Sequence, residues 1–176
     1  MSDKIIVSNM DIKSVRELLI KATGGKFRLS DKESFEKNVE KVKLSASDFY
    51  VFEINEDKDI FNIRHKLQEL IKNSFQIEEK KLYNILLVFT ELATNIIKHA
   101  IKGVVEVYIS KEGIYILFRD QGEGIDIEKI PYIALSNYSS MEDSLGFGFT
   151  ICINMCDSID METSKEGTNI LVYIRI

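Results

Sequence analysis

The sequence predicts an α+β sandwich in which helices cover one face of a β-sheet. One observation is a long helical pattern over residues 78–101, whose apolar stripe recurs at three- and four-residue spacing: Leu82, Leu86, Phe89, Ala93, Ile96 and Ala100. A second is the presence of two pairs of strand-like runs, each pair separated by a short polar turn. Helical patterns that alternate with antiparallel strand pairs favour two packed layers.

Composition excludes several classes of protein. With 176 residues and 45% hydrophobic residues, the chain can form one domain with a sizeable core. Its net charge of −5 is unfavourable for binding nucleic acid, because phosphates are neutralised by clustered Lys and Arg. No apolar run is long enough to span a membrane, so we expect a cytoplasmic protein. Cys152 and Cys156 are interpreted as two buried thiols rather than half of a zinc site.

Residues 1–48 form an N-terminal extension to which the sequence assigns no chemistry. A strand is expected over residues 5–10, followed by a helix that Asp11 caps and that ends at Gly24. A second amphipathic helix is expected to carry Phe35, Val39 and Val42 on its apolar side. The extension can pack on the main domain, mediate self-association or bind a partner, and the sequence leaves these three roles open.

Residues 49–176 contain the stronger patterns. Strands are expected over 49–54, 104–110 and 114–119, and again over 159–163 and 168–176, the last four as two hairpins. Helices are expected over 60–73, near Pro131 and from Gly146 to about residue 157. The polar segment 135–145 has no periodicity and is expected to be mobile.

Polar residues of the long helix line up on one face. At 100° per residue, Glu91, Asn95 and His99 fall within about 80° of one another, beside the apolar stripe. Further along the chain, Asp120 follows a strand and precedes Gly122 and Gly124. That pattern predicts a tight turn where a flat ring can approach the backbone.

A second glycine pair, Gly146 and Gly148, opens the helix that follows the polar segment. Glycines at a helix N-terminus expose backbone amides at the positive end of the helix dipole, which favours an anion.

The order of these motifs resembles the ATP-binding domain of the GHKL superfamily, which gyrase, the heat-shock chaperone, histidine kinases and MutL share. Residues 90–99 and 146–151 are most similar to the small serine/threonine kinases of bacterial partner switching, which include anti-sigma factors and stressosome switch kinases. The resemblance covers residues 49–176. It implies a Bergerat-type ATP-binding fold, with a mixed, mostly antiparallel sheet and helices on one face.

The resemblance also implies a role for each motif. Glu91 would be the general base that takes a proton from the attacking hydroxyl. Asn95 would coordinate Mg²⁺ through its amide oxygen. Asp120 would accept a hydrogen bond from the adenine amino group of ATP, and Gly122 and Gly124 would let the base approach.

The remaining residues of the implied site would complete the nucleotide pocket. The glycine pair of the last helix would wrap the phosphates with amides, and Thr168 would support the adenine side. The full implied binding set, beyond Glu91, is Asn95, His99, Asp120, Gly122, Gly124, Ile125, Gly146, Phe147, Gly148, Phe149 and Thr168.

The implied function is ATP-dependent phosphorylation of a small anti-anti-sigma protein of the STAS type, with a sigma factor or another regulator as a further partner. The alternative is a nucleotide-gated binding module without phosphotransfer, because residues 141–145 offer no basic side chain before the glycine pair. Lys98 and Lys102 are the nearest replacement cations, although both fit solvated helix charges. A histidine kinase with His65 as acceptor is disfavoured, since His65 lies only 30 residues before Asn95. The sequence leaves open whether the chain forms a homodimer.

Overall fold

The computed structural model of the chain describes residues 10–135 and 145–176, with side chains for all of them except residues 101 and 145–147. The strand expected over residues 5–10 and the mobile segment expected over 135–145 therefore lie outside the described residues, apart from their end positions. No helix in the described part of the chain combines the length and the apolar character that a membrane crossing requires.

Six helices form in the described ranges: α1 Ile12–Ala22, α2 Lys32–Ser45, α3 Asp57–Ser74, α4 Glu79–His99, α5 Ile130–Leu135 and α6 Leu145–Met155. The predicted cap of α1 is confirmed, since the Asp11 side chain accepts a hydrogen bond from the Ser14 amide at 2.8 Å. Asp31 caps α2 in the same way through the Ser34 amide, at 2.9 Å. A 3₁₀ turn, Ile127–Lys129, leads into α5.

The six strands of the described ranges are β1 Phe27–Leu29, β2 Asp48–Ile54, β3 Ala100–Ser110, β4 Gly113–Gly122, β5 Ser158–Ser164 and β6 Gly167–Arg175. They form one sheet in the order β1-β5-β6-β4-β3-β2. The β1–β5 pair is parallel and the other pairings are antiparallel. The predicted α+β class, with a mixed and mostly antiparallel sheet, is confirmed.

The main core lies between one sheet face and the helices α1, α3, α4, α5 and α6. Phe89 of α4 is fully buried, and its ring centroid lies 6.1 Å from that of Phe118 on β4. Phe149 of α6 packs edge-on against Phe27 of β1 at 6.4 Å. These contacts fix α4 over the central strand β4 and tie α6 to the edge strand β1.

Helix α2 lies on the opposite face of the sheet. Its apolar stripe, Phe35, Val39 and Val42, packs against three side chains that point away from the main core: Tyr108, Leu117 and Leu171. The prediction of helices on one face therefore holds for α1 and α3–α6, and α2 adds a partial third layer. Of the three roles left open for residues 1–48, packing on the main domain is observed for residues 10–48.

Strand β1 is not predicted from the sequence. A three-residue strand shows too little alternation to be recognised in a sequence. Its pairing with β5, which aligns Phe27 with Ile159, extends the sheet by one edge strand. The N-terminal region therefore contributes to both the sheet and its two covering layers.

Polar contacts hold α2 against the sheet. Arg119 of β4 donates to both carboxylate oxygens of Glu36, at 2.8 and 2.9 Å, and this pairing lowers the pKa of Glu36. On β5, the buried Asp160 accepts from Ser30 Oγ at 2.6 Å and from Asn38 Nδ2 at 2.7 Å. Two strands of the sheet thus bind the same helix through hydrogen-bonded carboxylates.

We expect Phe35→Ala to lower the free energy of unfolding by about 3–5 kcal/mol, because it opens a cavity between α2 and the sheet. Urea denaturation of both this variant and Leu44→Ala checks the expectation. Leu44 lies on the same helix and is 87% exposed, so its replacement should change the free energy of unfolding by no more than about 0.5 kcal/mol. Equal losses in the two variants would contradict the α2 layer.

Candidate functional site

A cavity of about 300 Å³ lies beside the C-terminal half of α4, on the core side of β4 and β6. The described residues of the predicted binding set that line it are Asn95, His99, Asp120, Gly122, Gly124, Ile125, Phe149 and Thr168. Residues from α4, β4, β6 and α6 thus converge on one space, although 73 residues of sequence separate Asn95 from Thr168.

The wall formed by α4 carries a buried amide without a partner. Asn95 and His99 are one helical turn apart and both line the cavity. Asn95 Nδ2 is buried and finds no hydrogen-bond partner among the described residues. An orphaned buried polar atom is costly unless something satisfies it, and the two ends of an amide are interchangeable in shape. This amide therefore suits a ligand oxygen or a metal ion.

Asp120 lies within β4, where it pairs with Gly103, rather than in a turn after the strand as predicted. The strand continues to Gly122 because β3 begins at Ala100 and offers it a partner. Asp120 Oδ1 accepts from the Gly122 amide at 2.9 Å and from the Thr168 amide at 3.0 Å. Both amides use Oδ1, so the carboxylate is oriented by one oxygen and can offer Oδ2 to a ligand.

The glycines near Asp120 permit close backbone contacts. Gly124 has a φ of 74°, and a Cβ there would lie 1.9 Å from the carbonyl oxygen of Ser164. A Cβ at Gly122 would lie 2.6 Å from the carbonyl oxygen of His99. The end of β4 therefore presses against both the β5–β6 hairpin and the end of α4, which only glycine allows.

Two threonines fix the floor of the site. Thr168 is buried, and its Oγ1 lies 3.1 Å from Oγ1 of Thr163, its register partner on β5. Thr163 Oγ1 also accepts from the Ile125 amide at 2.8 Å. Sequence reasoning missed Thr163; the hairpin register opposite Thr168 was the signal that could have identified it.

Glu91 does not line the cavity. It is partly buried on α4, where its Oε2 lies 2.8 Å from the point that a Cβ on Gly148 would occupy. Burial raises the pKa of the Cys152 thiol, and the charges of Cys156 and Glu91 add to this effect. The carboxylate of Glu91 is therefore directed towards the first turns of α6.

The predicted helix start near Gly146 is confirmed, since α6 begins at Leu145. Only the backbone is described at positions 146 and 147, so the predicted roles of Gly146 and Phe147 stay predictions.

A lysine that the sequence did not suggest lines the cavity. Lys129, in the 3₁₀ turn before α5, pairs with Asp126 at 3.2 Å, and both line the cavity. Lys102 instead lines a larger cavity, of about 560 Å³, which also contains Glu36 and Arg119 from the opposite face. Lys129 is therefore better placed than Lys102 to supply a cation to a ligand in the first cavity.

An α+β domain with this cavity between a long helix and the sheet is the architecture of a nucleotide-binding ATPase domain. The family model described as "Histidine kinase-like ATPase domain" matches residues 55–174. Because the match covers more than half of the chain, the protein belongs to this family. Membership implies ATP as the ligand and chemistry of the ATPase and kinase kind.

A solved structure with little sequence identity shares this fold. A chain from the SiaB–SiaC complex of Pseudomonas aeruginosa aligns with a TM-score of 0.56 and 9% identity, over 81% of this chain and 97% of that chain. A histidine kinase domain of a blue-light activated histidine kinase from Erythrobacter litoralis aligns with a TM-score of 0.42 and 12% identity, over 95% and 76% of the two chains. The comparison with curated proteins found no match.

We expect Asp120→Asn to abolish stabilisation by ATP while leaving the fold intact. The asparagine oxygen can still accept from the two amides, but its NH₂ group would face the adenine amino group, donor against donor. For the wild type, ATP at 100 times its dissociation constant should add about 2.7 kcal/mol and raise the thermal midpoint by about 5–10 °C.

Thermal unfolding with Mg-ATP, Mg-ADP and Mg-GTP checks this expectation. Glu123→Gln is the matched control, because Glu123 also lines the cavity, is exposed and loses the same charge. It should keep the adenine-specific rise. If ATP raised the thermal midpoint of Asp120→Asn as much as that of the wild type, the Asp120 carboxylate would not be the group that recognises adenine.

Proposed function

We propose that the protein is an ATP-dependent serine/threonine kinase of the anti-sigma and switch type, which phosphorylates a small partner of the STAS type. The observation that carries the proposal is the oriented carboxylate of Asp120 at one end of a cavity whose helical wall bears Asn95, with Glu91 one turn away. Family membership supports the ATP chemistry. The shared fold with a chain of the SiaB–SiaC complex supports a protein partner.

Asp120 selects the base. Its Oδ2 accepts a hydrogen bond from the adenine amino group, whereas a guanine carbonyl at the same place would face the carboxylate without a proton. The backbone amides of Gly122 and Thr168 hold the carboxylate in this orientation before the nucleotide arrives. Preorganisation of this kind avoids an ordering cost on binding.

Asn95 serves the phosphate end. The buried amide of Asn95 fits Mg²⁺, and when bound this ion neutralises part of the triphosphate charge. Lys129 also lies at the cavity wall, where it is paired with Asp126 at 3.2 Å.

Glu91 accepts the proton of the attacking serine or threonine hydroxyl. The role requires the carboxylate to come within hydrogen-bond reach of the nucleophile, about 2.6–3.2 Å. Its position against Gly148 places the oxygen at the start of α6, beside the cavity rather than inside it. The acceptor hydroxyl would therefore enter from the α6 side.

The position of Glu91 also favours a second candidate function. A chain that binds ATP while its carboxylate stays against α6 would be a nucleotide-gated module, which sequesters a regulator without phosphotransfer. Incubation with γ-³²P-labelled ATP and a panel of STAS-domain proteins distinguishes the two functions. Label on a serine or threonine, located by mass spectrometry, supports the kinase. ATP binding without transfer to any of them supports the module.

We expect Glu91→Gln to lower phosphotransfer by about 10²–10⁴-fold, because glutamine cannot take the proton. The ATP-induced thermal shift should persist, since Glu91 lies outside the cavity wall. Glu79→Gln, at the exposed start of the same helix, is the control with the same loss of charge and should transfer normally. Phosphotransfer at the wild-type rate by Glu91→Gln would show that Glu91 is not the general base.

We expect Gly148→Ala to lower phosphotransfer without lowering stability. The new methyl group would lie 2.8 Å from Glu91 Oε2 and would push this flexible carboxylate aside. Alanine also favours a helix over glycine by up to about 1 kcal/mol. Transfer assays and thermal unfolding of the single and double variants test whether Gly148→Ala acts through Glu91. If it does, the double variant Glu91→Gln/Gly148→Ala should transfer phosphate no more slowly than Glu91→Gln alone. A further loss of phosphotransfer in the double variant would mean that Gly148 affects transfer independently of Glu91.

A further inference from the structure

A separate groove lies on the sheet face that α2 covers. Its volume is about 240 Å³, and it is lined by residues of β1, β4, β5, β6 and α2. Three basic side chains, Lys26, Arg28 and Lys41, line it and are exposed. None of the residues assigned to the candidate nucleotide cavity belongs to this groove.

Strand β1 places two of the cations. Phe27 and Leu29 are buried in the main core, so the alternation of a strand directs Arg28 to the opposite face, and Lys26 precedes the strand on that same side. Lys41 reaches the groove from α2. Within the described residues, none of these three cations forms an ion pair.

The acidic side chain that lines the groove already has hydrogen-bond partners within the protein. Asp160 is the acidic residue of the lining, and its two carboxylate oxygens accept from Ser30 Oγ and Asn38 Nδ2. The groove therefore has an excess of positive charge, although the chain as a whole carries a net charge of −5. Such a local reversal of sign attracts an acidic ligand, whereas the net negative charge of the rest of the protein disfavours binding of that ligand elsewhere on the surface.

Two stacked tyrosines form the floor. Tyr115 and Tyr173 are register partners on β4 and β6, and their ring centroids are 4.4 Å apart. Burial raises the pKa of Tyr115, with the neighbouring Tyr173 and Glu112 adding to the effect, so its hydroxyl stays neutral. A pair of rigid aromatic rings beneath a basic rim offers apolar contact to a chain whose charges lie above it.

We propose that this groove binds an acidic peptide segment of a partner protein, with carboxylates paired to Lys26, Arg28 and Lys41 and with hydrocarbon lying on Tyr115 and Tyr173. The cations come from two different elements and are exposed at the rim. That arrangement suits several separate carboxylates on one extended chain better than one small anion. The inference does not depend on the proposed kinase activity, since the groove and the nucleotide cavity lie on opposite faces of the sheet.

Fluorescence anisotropy with fluorescein-labelled hexaglutamate, at low salt and without nucleotide, tests the proposal. The groove variant is Lys26→Gln/Arg28→Gln/Lys41→Gln. The matched control is Lys72→Gln/Lys80→Gln/Lys111→Gln, which removes the same charge from exposed positions that line none of the three cavities. We expect the groove variant to bind about tenfold more weakly and the control to stay within about threefold of wild type.

Amide and ring resonances in nuclear magnetic resonance spectra give a second readout, in which hexaglutamate should shift Tyr115 and Tyr173 and hexaglutamine should not. Equal loss of affinity in both triple variants would overturn the proposal, because net charge rather than the groove would then explain binding. Absence of wild-type binding at about 1 mM peptide would also overturn it, since this corresponds to less than about 4 kcal/mol of binding free energy.

Discussion

The hydrogen bonds from two backbone amides to Asp120 Oδ1 are the constraint on which the candidate site depends. They join the end of β4 to the start of β6 and fix the orientation of the Asp120 carboxylate in the cavity. The β5–β6 turn must come very close for this to happen. A Cβ at Gly167, where φ is 139°, would lie 2.0 Å from the carbonyl oxygen of Asp120. Glycine at this turn is therefore a requirement of the site as much as of the hairpin.

The alternation of the strands couples this site to the N-terminal extension. Asp120 and Thr168 face the cavity, while their chain neighbours Arg119 and Asn169 face α2, and Arg119 Nη1 donates to Asn169 Oδ1 at 3.3 Å. The same guanidinium holds Glu36 of α2. The family match begins at residue 55. The extension nevertheless binds β4 and β6, the strands that carry Asp120 and Thr168 of the candidate site, so it helps to hold that site in place.

The sequence predicted what depends on periodicity and missed what depends on contacts distant in sequence. The α4 stripe and both hairpins were confirmed, because a helix or a hairpin imposes its period on local residues. The side of the sheet that α2 occupies was not predictable. The apolar stripe that contains Phe35 indicates that one face of the helix is buried, but it does not indicate which part of the protein covers that face. Strand β1 was too short to show a period. For the candidate site, the motifs in the sequence predicted Asp120 and Asn95, and both residues line the cavity. The contribution of Thr163 comes from its register with Thr168, and that of Lys129 from the fold around the cavity.

The position of the Glu91 carboxylate beside Gly148 bears on both candidate functions. Glu91 and Asn95 lie one turn apart on a rigid helix, so Asn95 can stay in the cavity wall while the Glu91 carboxylate remains against α6. The missing Cβ at Gly148 leaves room for that carboxylate. The Glu91 carboxylate therefore lies against α6, whereas the Asp120 carboxylate is held by amides of β4 and β6. In the proposed kinase, adenine recognition by Asp120 and proton transfer by Glu91 would therefore rest on separate parts of the fold.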